Sequence, residues 1–212
     1  MLITCSHIRY AIVLILAMAA YDLLAQDRPA DYEKLIVQGR KAKDKELKSK
    51  RHSPLQAEDR KAFHGLNYFA VDPEWRKLAH FILLENGDTL DIMTSAGKTK
   101  EYFEYGLLVI EHLGDADSLT AYKRIWPEGY ESPYAPYLFV PFTDLSTGKT
   151  TYGGGRYLDI DVPLENGDVV LDFNLCYNPY CAYGSGFSCP IPPKQNFLDV
   201  HVEAGEKDFG KH

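Results

Sequence analysis

From Leu78 to Ala204 the chain is a succession of short strand-like segments, and this pattern limits the possible folds more than any other feature. Segments rich in β-branched and aromatic residues span 78–85, 89–94, 101–112, 119–126, 137–142, 156–161, 169–176 and 198–204. No segment of helical length separates them, which argues against a parallel β-α-β topology. Asn86-Gly87 and Asn166-Gly167 favour tight hairpin turns, because both central residues of such turns need positive φ. We therefore predict a mainly β fold, an antiparallel β-sandwich or open barrel with N-terminal helices.

The helices are predicted within residues 26–64, ahead of a β domain that spans residues 65–212. Residues 27–51 have helical character and carry a block of basic side chains, which we interpret as the solvated face of a helix. A second helix is predicted in "SPLQAEDRKAF", because Ser53 suits the N-cap and Gln56 completes a capping box.

Residues 1–25 have the features of an export signal. Arg9 precedes the apolar run "AIVLILAMAA", and the small residue Ala25 precedes a charged stretch. A bilayer-spanning helix needs about 20 apolar residues, and this run is shorter. We predict cleavage after Ala25 and a periplasmic or secreted protein, with membrane attachment only if the signal stays uncleaved.

The charge balance narrows the range of partners. The chain has a net charge of −7, whereas a nucleic-acid-binding protein needs a basic face. We expect no nucleic acid, and a small-molecule or glycan ligand instead. We also expect no metal and no cofactor, since His201 and Glu203 alone are too few ligands and the cysteine spacing is not that of a zinc site.

The segment "VVLDFNLC" places polar side chains on one face of a strand. Alternation puts Asp172, Asn174 and Cys176 opposite the apolar side chains of Leu171 and Phe173. Asp172 and Asn174 have the chemistry to bind a ligand or cation. Short polar side chains also cap the backbone of irregular loops, and we favour that structural role.

The glycine-rich segment "TYGGGR", residues 151–156, is a second candidate. Three glycines can expose backbone N–H groups beside the guanidinium of Arg156, which would suit an anion. The alternative is a bulged turn in which Arg156 pairs with an acid such as Asp172.

Two long motifs carry a family resemblance. "FVPFTDLSTGKTTYGGGRYLDI" and "DFNLCYNPYCAYGSGFSCPIPPKQNFLDVHVEAGEK" resemble the uncharacterised bacterial and archaeal family called domain of unknown function 1684, and "FHGLNYF" is similar to its N-terminal part. The resemblance implies no particular activity, but it implies that Arg156, Asp172, Asn174 and the cysteine loop form one site. The predicted ligand-binding residues, all among the family's hallmarks, are Tyr152, Arg156, Asp172, Asn174, Tyr177 and Asn178.

The leading functional hypothesis is an exported, non-catalytic module that binds a small polar or glycan-like ligand in the bacterial envelope. Tyrosine richness and a β scaffold favour it. The alternative is a secreted hydrolase with Asp172 as base or Cys181 as nucleophile and Arg156 holding an anionic substrate. A structural protein with no small ligand is the third possibility.

Cys181 and Cys189 are predicted to form a disulfide, because an exported chain folds in an oxidising compartment. Gly184 and Gly186 let the intervening loop turn back on itself. Cys176 would then be the unpaired thiol of the mature chain, and a Cys176–Cys181 bridge is the competing pairing.

Overall fold

The computed structural model describes residues 30–51, 53–110, 118–130 and 136–210, and the structural statements below concern these ranges. The predicted signal peptide therefore lies outside the described residues. Within them, no helix combines the length and apolar character needed to span a membrane.

Within the described ranges, two helices precede eight strands. The helices are α1 (Tyr32–Lys48) and α2 (Ala57–Ala62). The strands are β1 (Arg76–Leu83), β2 (Thr89–Met93), β3 (Thr99–Ile110), β4 (Ser118–Arg124), β5 (Tyr137–Asp144), β6 (Arg156–Asp161), β7 (Gly167–Asp172) and β8 (Phe197–Leu198).

The strands form one curled sheet, a half-barrel with the order β6-β5-β4-β3-β1-β7. Strand β2 adds to β3, and β8 adds to β5 as a parallel neighbour. In a flat sheet the outermost strands β6 and β7 would lie about 24 Å apart. The connection from Asp161 to Gly167 reaches at most about 22 Å when fully extended. The sheet must therefore curl. The predicted mainly antiparallel β fold with N-terminal helices is confirmed.

Both predicted hairpins are wrong. Strands β1 and β2, on either side of Asn86-Gly87, pair with different parts of β3 instead of with each other. Strands β6 and β7, on either side of Asn166-Gly167, lie at opposite edges of the sheet. Gly87 is needed for a different reason, since a Cβ there would lie 1.9 Å from the carbonyl oxygen of Glu104.

Two predicted strands are shorter in the structure. Strand β7 ends at Asp172, because the Asp172 side chain accepts a hydrogen bond from the Asn174 backbone N–H and starts a 3-10 turn. The alternation predicted through Cys176 is therefore broken, and Cys176 packs into the main core. In the last segment, only Phe197–Leu198 forms a strand.

The helical capping box is also wrong. Helix α2 starts at Ala57, and Ser53 accepts a hydrogen bond from the Leu55 backbone N–H in the turn before it. The basic face of α1 is only partly solvated, because Arg40 and Lys43 both bond to groups of the β domain.

The main core fills the space between the sheet and the C-terminal segment. Phe81, Leu108, Leu138 and Leu171 on the sheet are fully buried against Val202 and its neighbours. The opposite sheet face carries a second, aromatic-rich cluster: Ile92, Tyr102, Tyr122, Phe139 and Tyr157.

Asn196 joins two strands that otherwise separate. Strands β4 and β5 share one Cα pair, Tyr122 with Phe139. The Asn196 amide nitrogen donates to the carbonyl oxygens of Thr120 and Pro141, and its oxygen accepts from the Thr120 N–H. This fully buried side chain therefore satisfies backbone groups that a sheet ladder would normally satisfy.

Candidate functional site

The cysteine loop is closed by a disulfide bond. Cys181 and Cys189 form a disulfide, as the sequence predicted, and Cys176 is a buried free thiol. The loop also bonds to the turn after β2, where the Ser95 N–H donates to the Cys189 carbonyl oxygen at 2.9 Å. Lys100 Nζ donates to the Ser188 carbonyl oxygen at 2.7 Å. These contacts hold the loop against the sheet.

Arg156 is enclosed within the protein, with 1% of its surface exposed. Its Nη1 donates to the Ala204 carbonyl oxygen, and its Nη2 donates to Asp144 Oδ2 at 2.9 Å and to the Val202 carbonyl oxygen at 2.8 Å. The alternative in which Arg156 pairs with an acid is therefore confirmed, but the acid is Asp144 and not Asp172. A ligand would have to displace these internal partners to reach Arg156.

Asp172 and Asn174 form a network with the N-terminal helix. The Tyr32 hydroxyl donates to both Asp172 oxygens, at 2.7 and 2.9 Å, and Asn174 Nδ2 donates to the carbonyl oxygen of Asp72 at 2.7 Å. The Asn174 oxygen accepts from the Asp72 N–H. Burial and the Asp172 carboxylate raise the pKa of Tyr32. The pair therefore ties α1 and residue 72 to the end of β7, which is the structural role that we favoured.

Asn178 lies beside a buried carboxylate, Glu206. Its backbone N–H donates to Glu206 Oε2 at 3.0 Å, and its Nδ2 donates to the Lys207 carbonyl oxygen. Glu206 also accepts from Lys43 and from the Tyr183 hydroxyl. Burial and this carboxylate raise the pKa of Tyr183 well above its ordinary value. No pattern in the sequence indicated that Glu206 would be buried.

Tyr152 is half-buried and packs against the small cluster around Leu55 and Tyr183. Burial, and then Asp208, raise the pKa of its hydroxyl. Its ring lies 2.5 Å from where a Cβ at Gly154 would stand, which explains why this position in the glycine-rich segment has no side chain.

Tyr177 is a predicted site residue that bonds to an exposed side chain, Asp159. Its hydroxyl donates to Oδ2 of Asp159 at 2.7 Å. Asp159 itself is exposed. Tyr102 and Tyr137 lie close to this pair, because the Tyr102 ring stacks on Phe139, Phe139 is paired with Asp159, and Tyr137 lies two positions before Phe139 on the same face of β5. We call Asp159, Tyr102, Tyr137 and Tyr177 the tyrosine cluster.

Packed aromatic rings hold the cluster in place. The Tyr102 ring stacks on Phe139 at 5.5 Å, and Phe139 meets Tyr157 edge-on at 4.7 Å. Tyr157 then meets Tyr177 at 5.8 Å with perpendicular rings. The backbones of Tyr157 and Tyr177 exchange two hydrogen bonds, of 2.9 and 3.0 Å. These contacts orient Tyr177 toward Asp159.

Desolvation is the main cause of the pKa shifts within the tyrosine cluster. Desolvation by the surrounding protein raises the pKa of the Asp159 carboxyl. The hydrogen bond from Tyr177 and the charge of Lys43 lower this pKa, but by less. Burial, and then Asp159, raise the pKa of Tyr177. Burial raises the pKa of Tyr102 to about 12. Tyr102 and Tyr177 are therefore neutral hydroxyl groups at neutral pH.

A family model described as protein of unknown function (DUF1684) matches residues 61–207. The chain belongs to this family. A solution NMR structure of an uncharacterized protein from Haloarcula marismortui is similar to this chain, with 36% identity and a TM-score of 0.65. The match covers 86% of this chain and 97% of the archaeal one. Among curated proteins, none matches this chain.

Within the DUF1684 region, the predicted hallmark residues mostly hold the fold together. Arg156, Asn174 and Asn196 are buried and bonded internally. Tyr177 is the one predicted ligand residue that also belongs to the tyrosine cluster. Helix α1 lies before the matched region and contributes Lys43, whose Nζ stands 4.9 Å from the centre of the Tyr177 ring.

Sequence reasoning missed Asp159, Tyr137 and Tyr102. Strand alternation was the signal that could have found two of them. In "RYLDID" Tyr157 and Asp159 share a face, and in "YLFVPF" Tyr137 and Phe139 share one. The register pairs Phe139 with Asp159. In the part of the chain that the structure describes, no group of three or more His, Cys, Asp or Glu residues could hold a metal ion.

Proposed function

We propose that this protein is an exported binding module that recognises a small polar, glycan-like ligand at the tyrosine cluster. One observation carries the proposal. Asp159 is an exposed residue at a site where three tyrosines from different elements converge.

The chemistry of the cluster suits a sugar. A pyranose ring has an apolar C–H face that packs on an aromatic ring, and hydroxyl groups around its edge. Tyr137, with 40% of its surface exposed, offers an aromatic ring for this contact. The Asp159 carboxylate is an acceptor for a sugar hydroxyl, and a charged acceptor forms a stronger hydrogen bond than a neutral one.

A neutral ligand fits the charges better than an anion or a cation does. The Asp159 carboxylate disfavours a second negative charge nearby, and the net charge of −7 acts in the same direction. The guanidinium of Arg124 stands 4.9 Å from the centre of the Tyr102 ring, and Lys43 stands over Tyr177. These two cations already cover ring faces to which a cationic ligand would bind.

The hydrolase alternative has no comparable support. A cysteine nucleophile needs a free thiol, and Cys181 is joined to Cys189. An anion holder needs donors that reach solvent, and the Nη atoms of Arg156 bond to internal partners. Export is supported by the signal-like N-terminus and by the disulfide, which persists in an oxidising compartment.

A thermal-shift screen tests this proposal. The panel consists of glucose, galactose, mannose, N-acetylglucosamine and the β-1,4- and α-1,4-linked tetramers of glucose. A ligand present at a hundred times its Kd stabilises the folded state by about 2.7 kcal/mol, so a specific sugar raises Tm measurably. We expect at least one panel member to raise the Tm of the wild type.

Two substitutions in the tyrosine cluster and one control outside it test where the sugar binds. Asp159→Asn and Tyr137→Ala should abolish or strongly reduce the shift. Phe197→Ala is the matched control, because Phe197 is an exposed aromatic residue paired with Thr143, about 20 Å from Tyr137 along β5. It should keep the full shift. A wild type unaffected by every sugar, or an Asp159→Asn variant that shifts equally, would refute the proposal.

A further inference from the structure

An exposed aromatic stack lies next to the tyrosine cluster. Trp126 and Tyr130 follow the end of β4, and their rings stack with centres 4.6 Å apart and planes 25° from parallel. Both side chains reach solvent, with 39% of Trp126 and 50% of Tyr130 exposed. Aromatic surface of this kind, kept in contact with water, is typical of recognition sites.

Arg124 connects this stack to the tyrosine cluster. Its guanidinium carbon lies 4.9 Å from the centre of the Tyr102 ring and 5.2 Å from that of Trp126. Its Nη1 donates to the Glu101 carbonyl oxygen at 3.1 Å, which restrains the side chain. The two aromatic surfaces are therefore neighbours held by one guanidinium group.

The outward face of the stack belongs to Tyr130. Arg124 and Tyr130 both lie over the Trp126 ring, at 5.2 and 4.6 Å. A guanidinium and a phenol ring cannot occupy the same face of one indole. Trp126 therefore lies between them, and the side of the Tyr130 ring that faces away from Trp126 is the surface that a ligand would meet.

We propose that Trp126 and Tyr130 form a second sugar subsite, so that the ligand is an unbranched oligosaccharide rather than a monosaccharide. This inference rests on the proposed function. From Tyr102 to Tyr130 the contacts take three steps of 4.6 to 5.2 Å each. An oligosaccharide can follow this series of contacts, with one ring at Asp159 and another on Tyr130.

Tryptophan fluorescence provides a direct readout, because the chain has two tryptophans and Trp126 is one of them. The other, Trp75, packs edge-on against Phe173 at 6.1 Å, so Trp75→Phe keeps an aromatic ring there. In this background, the probes are glucose, N-acetylglucosamine, the two glucose tetramers and the β-1,4-linked N-acetylglucosamine tetramer. We expect one tetramer to change Trp126 emission and to bind at least tenfold more tightly than its monomer.

Two variants separate this inference from the proposed function. Tyr130→Ala should lower the affinity for that tetramer to the level of the monomer and leave monomer affinity unchanged. Asp159→Asn should weaken both ligands. If Asp159→Asn weakens both but Tyr130→Ala changes neither, or if no tetramer binds more tightly than its monomer, the second subsite is wrong. If no sugar binds, or if binding does not depend on Asp159, the proposed function fails as well.

Discussion

At the residue scale, the polar side chains divide into those used within the fold and those that face solvent. Arg156 and Asn174 are buried, and each bonds to several internal groups. Asp159 accepts an internal hydrogen bond and is itself exposed. The sequence identified the buried residues as special, because they stand in long motifs. It could not show which acid pairs with Arg156, because Asp144 and Asp172 are both near Arg156 in the sequence. Only the folded structure shows that Asp144 is the one in contact.

The Arg156–Asp144 pair should contribute strongly to stability. Both side chains are 1% exposed, so Asp144→Asn leaves a buried guanidinium without its counter-charge. We expect a loss of about 3–5 kcal/mol in the free energy of unfolding, measured by urea titration. Glu58→Gln is the control, because it removes an exposed Glu58–Lys61 pair and should change stability by less than about 1 kcal/mol. Equal effects of the two substitutions would contradict the internal role of Arg156.

The ionised side chain of Asp159 should lower the stability of the fold, unlike the Arg156–Asp144 pair. Its folded-state pKa is raised by desolvation, so the folded protein binds the proton more tightly than the unfolded chain does. Ionised Asp159 therefore disfavours folding at pH values above that raised pKa. We expect Asp159→Asn to be at least as stable as the wild type at pH 7, with the difference shrinking as pH falls through the raised pKa toward the ordinary pKa of an aspartate. Urea unfolding from pH 7 to pH 4 measures this. A difference that grows toward low pH would contradict the assignment.

At the element scale, helix α1 is fastened to the β domain by polar contacts along one face. Tyr32 bonds to Asp172, Arg40 to the carbonyl oxygens of Phe69 and Asn174, and Lys43 to Glu206. The sequence predicted the helix but interpreted its basic side chains as solvated. That interpretation failed because the partners lie up to 163 positions away in the chain, beyond the reach of helical periodicity.

Among the basic residues of α1, Lys43 should contribute most to the stability of the fold. Lys43→Met removes the cation beside Glu206, which is 1% exposed. We expect a loss of about 2–3 kcal/mol in unfolding free energy and faster hydrogen exchange of the α1 amides. Lys41→Met is the matched control, because Lys41 is exposed on the same helix. Equal exchange rates in the two variants would show that the Lys43–Glu206 contact does not hold the helix.

At the scale of the whole molecule, the sequence predicted the strand segments and the antiparallel class, but not the strand order. Short periodic segments show where strands are, because side-chain alternation is local. Pairing is not local: β6 and β7 follow each other in sequence and lie at opposite edges of the sheet. The tyrosine cluster depends on that pairing, since Tyr102, Tyr137 and Asp159 come from β3, β5 and β6.

In a chain that begins at Gln26, the thiol state should match the loop closed by the Cys181–Cys189 disulfide. We expect no cysteine to be alkylated in the native state without reductant, because Cys176 is buried and its pKa is raised to about 11 by burial. In denaturant without reductant, Cys176 alone should react in a chain that begins at Gln26. Closing so short a loop contributes about 2–3 kcal/mol, so reduction should lower Tm. Peptide mapping that finds label on Cys181 or Cys189 before reduction would contradict the disulfide.

Ligand binding at the tyrosine cluster can be tested by titrating ¹⁵N-labelled protein with the sugar that raises Tm most and following the amide chemical shifts. We expect the largest shifts at Asp159 and Tyr137, with little change at Asp172 and Asn174, which lie in the internal network at the end of β7. Shifts concentrated at Asp172 and Asn174, with Asp159 and Tyr137 unmoved, would contradict it.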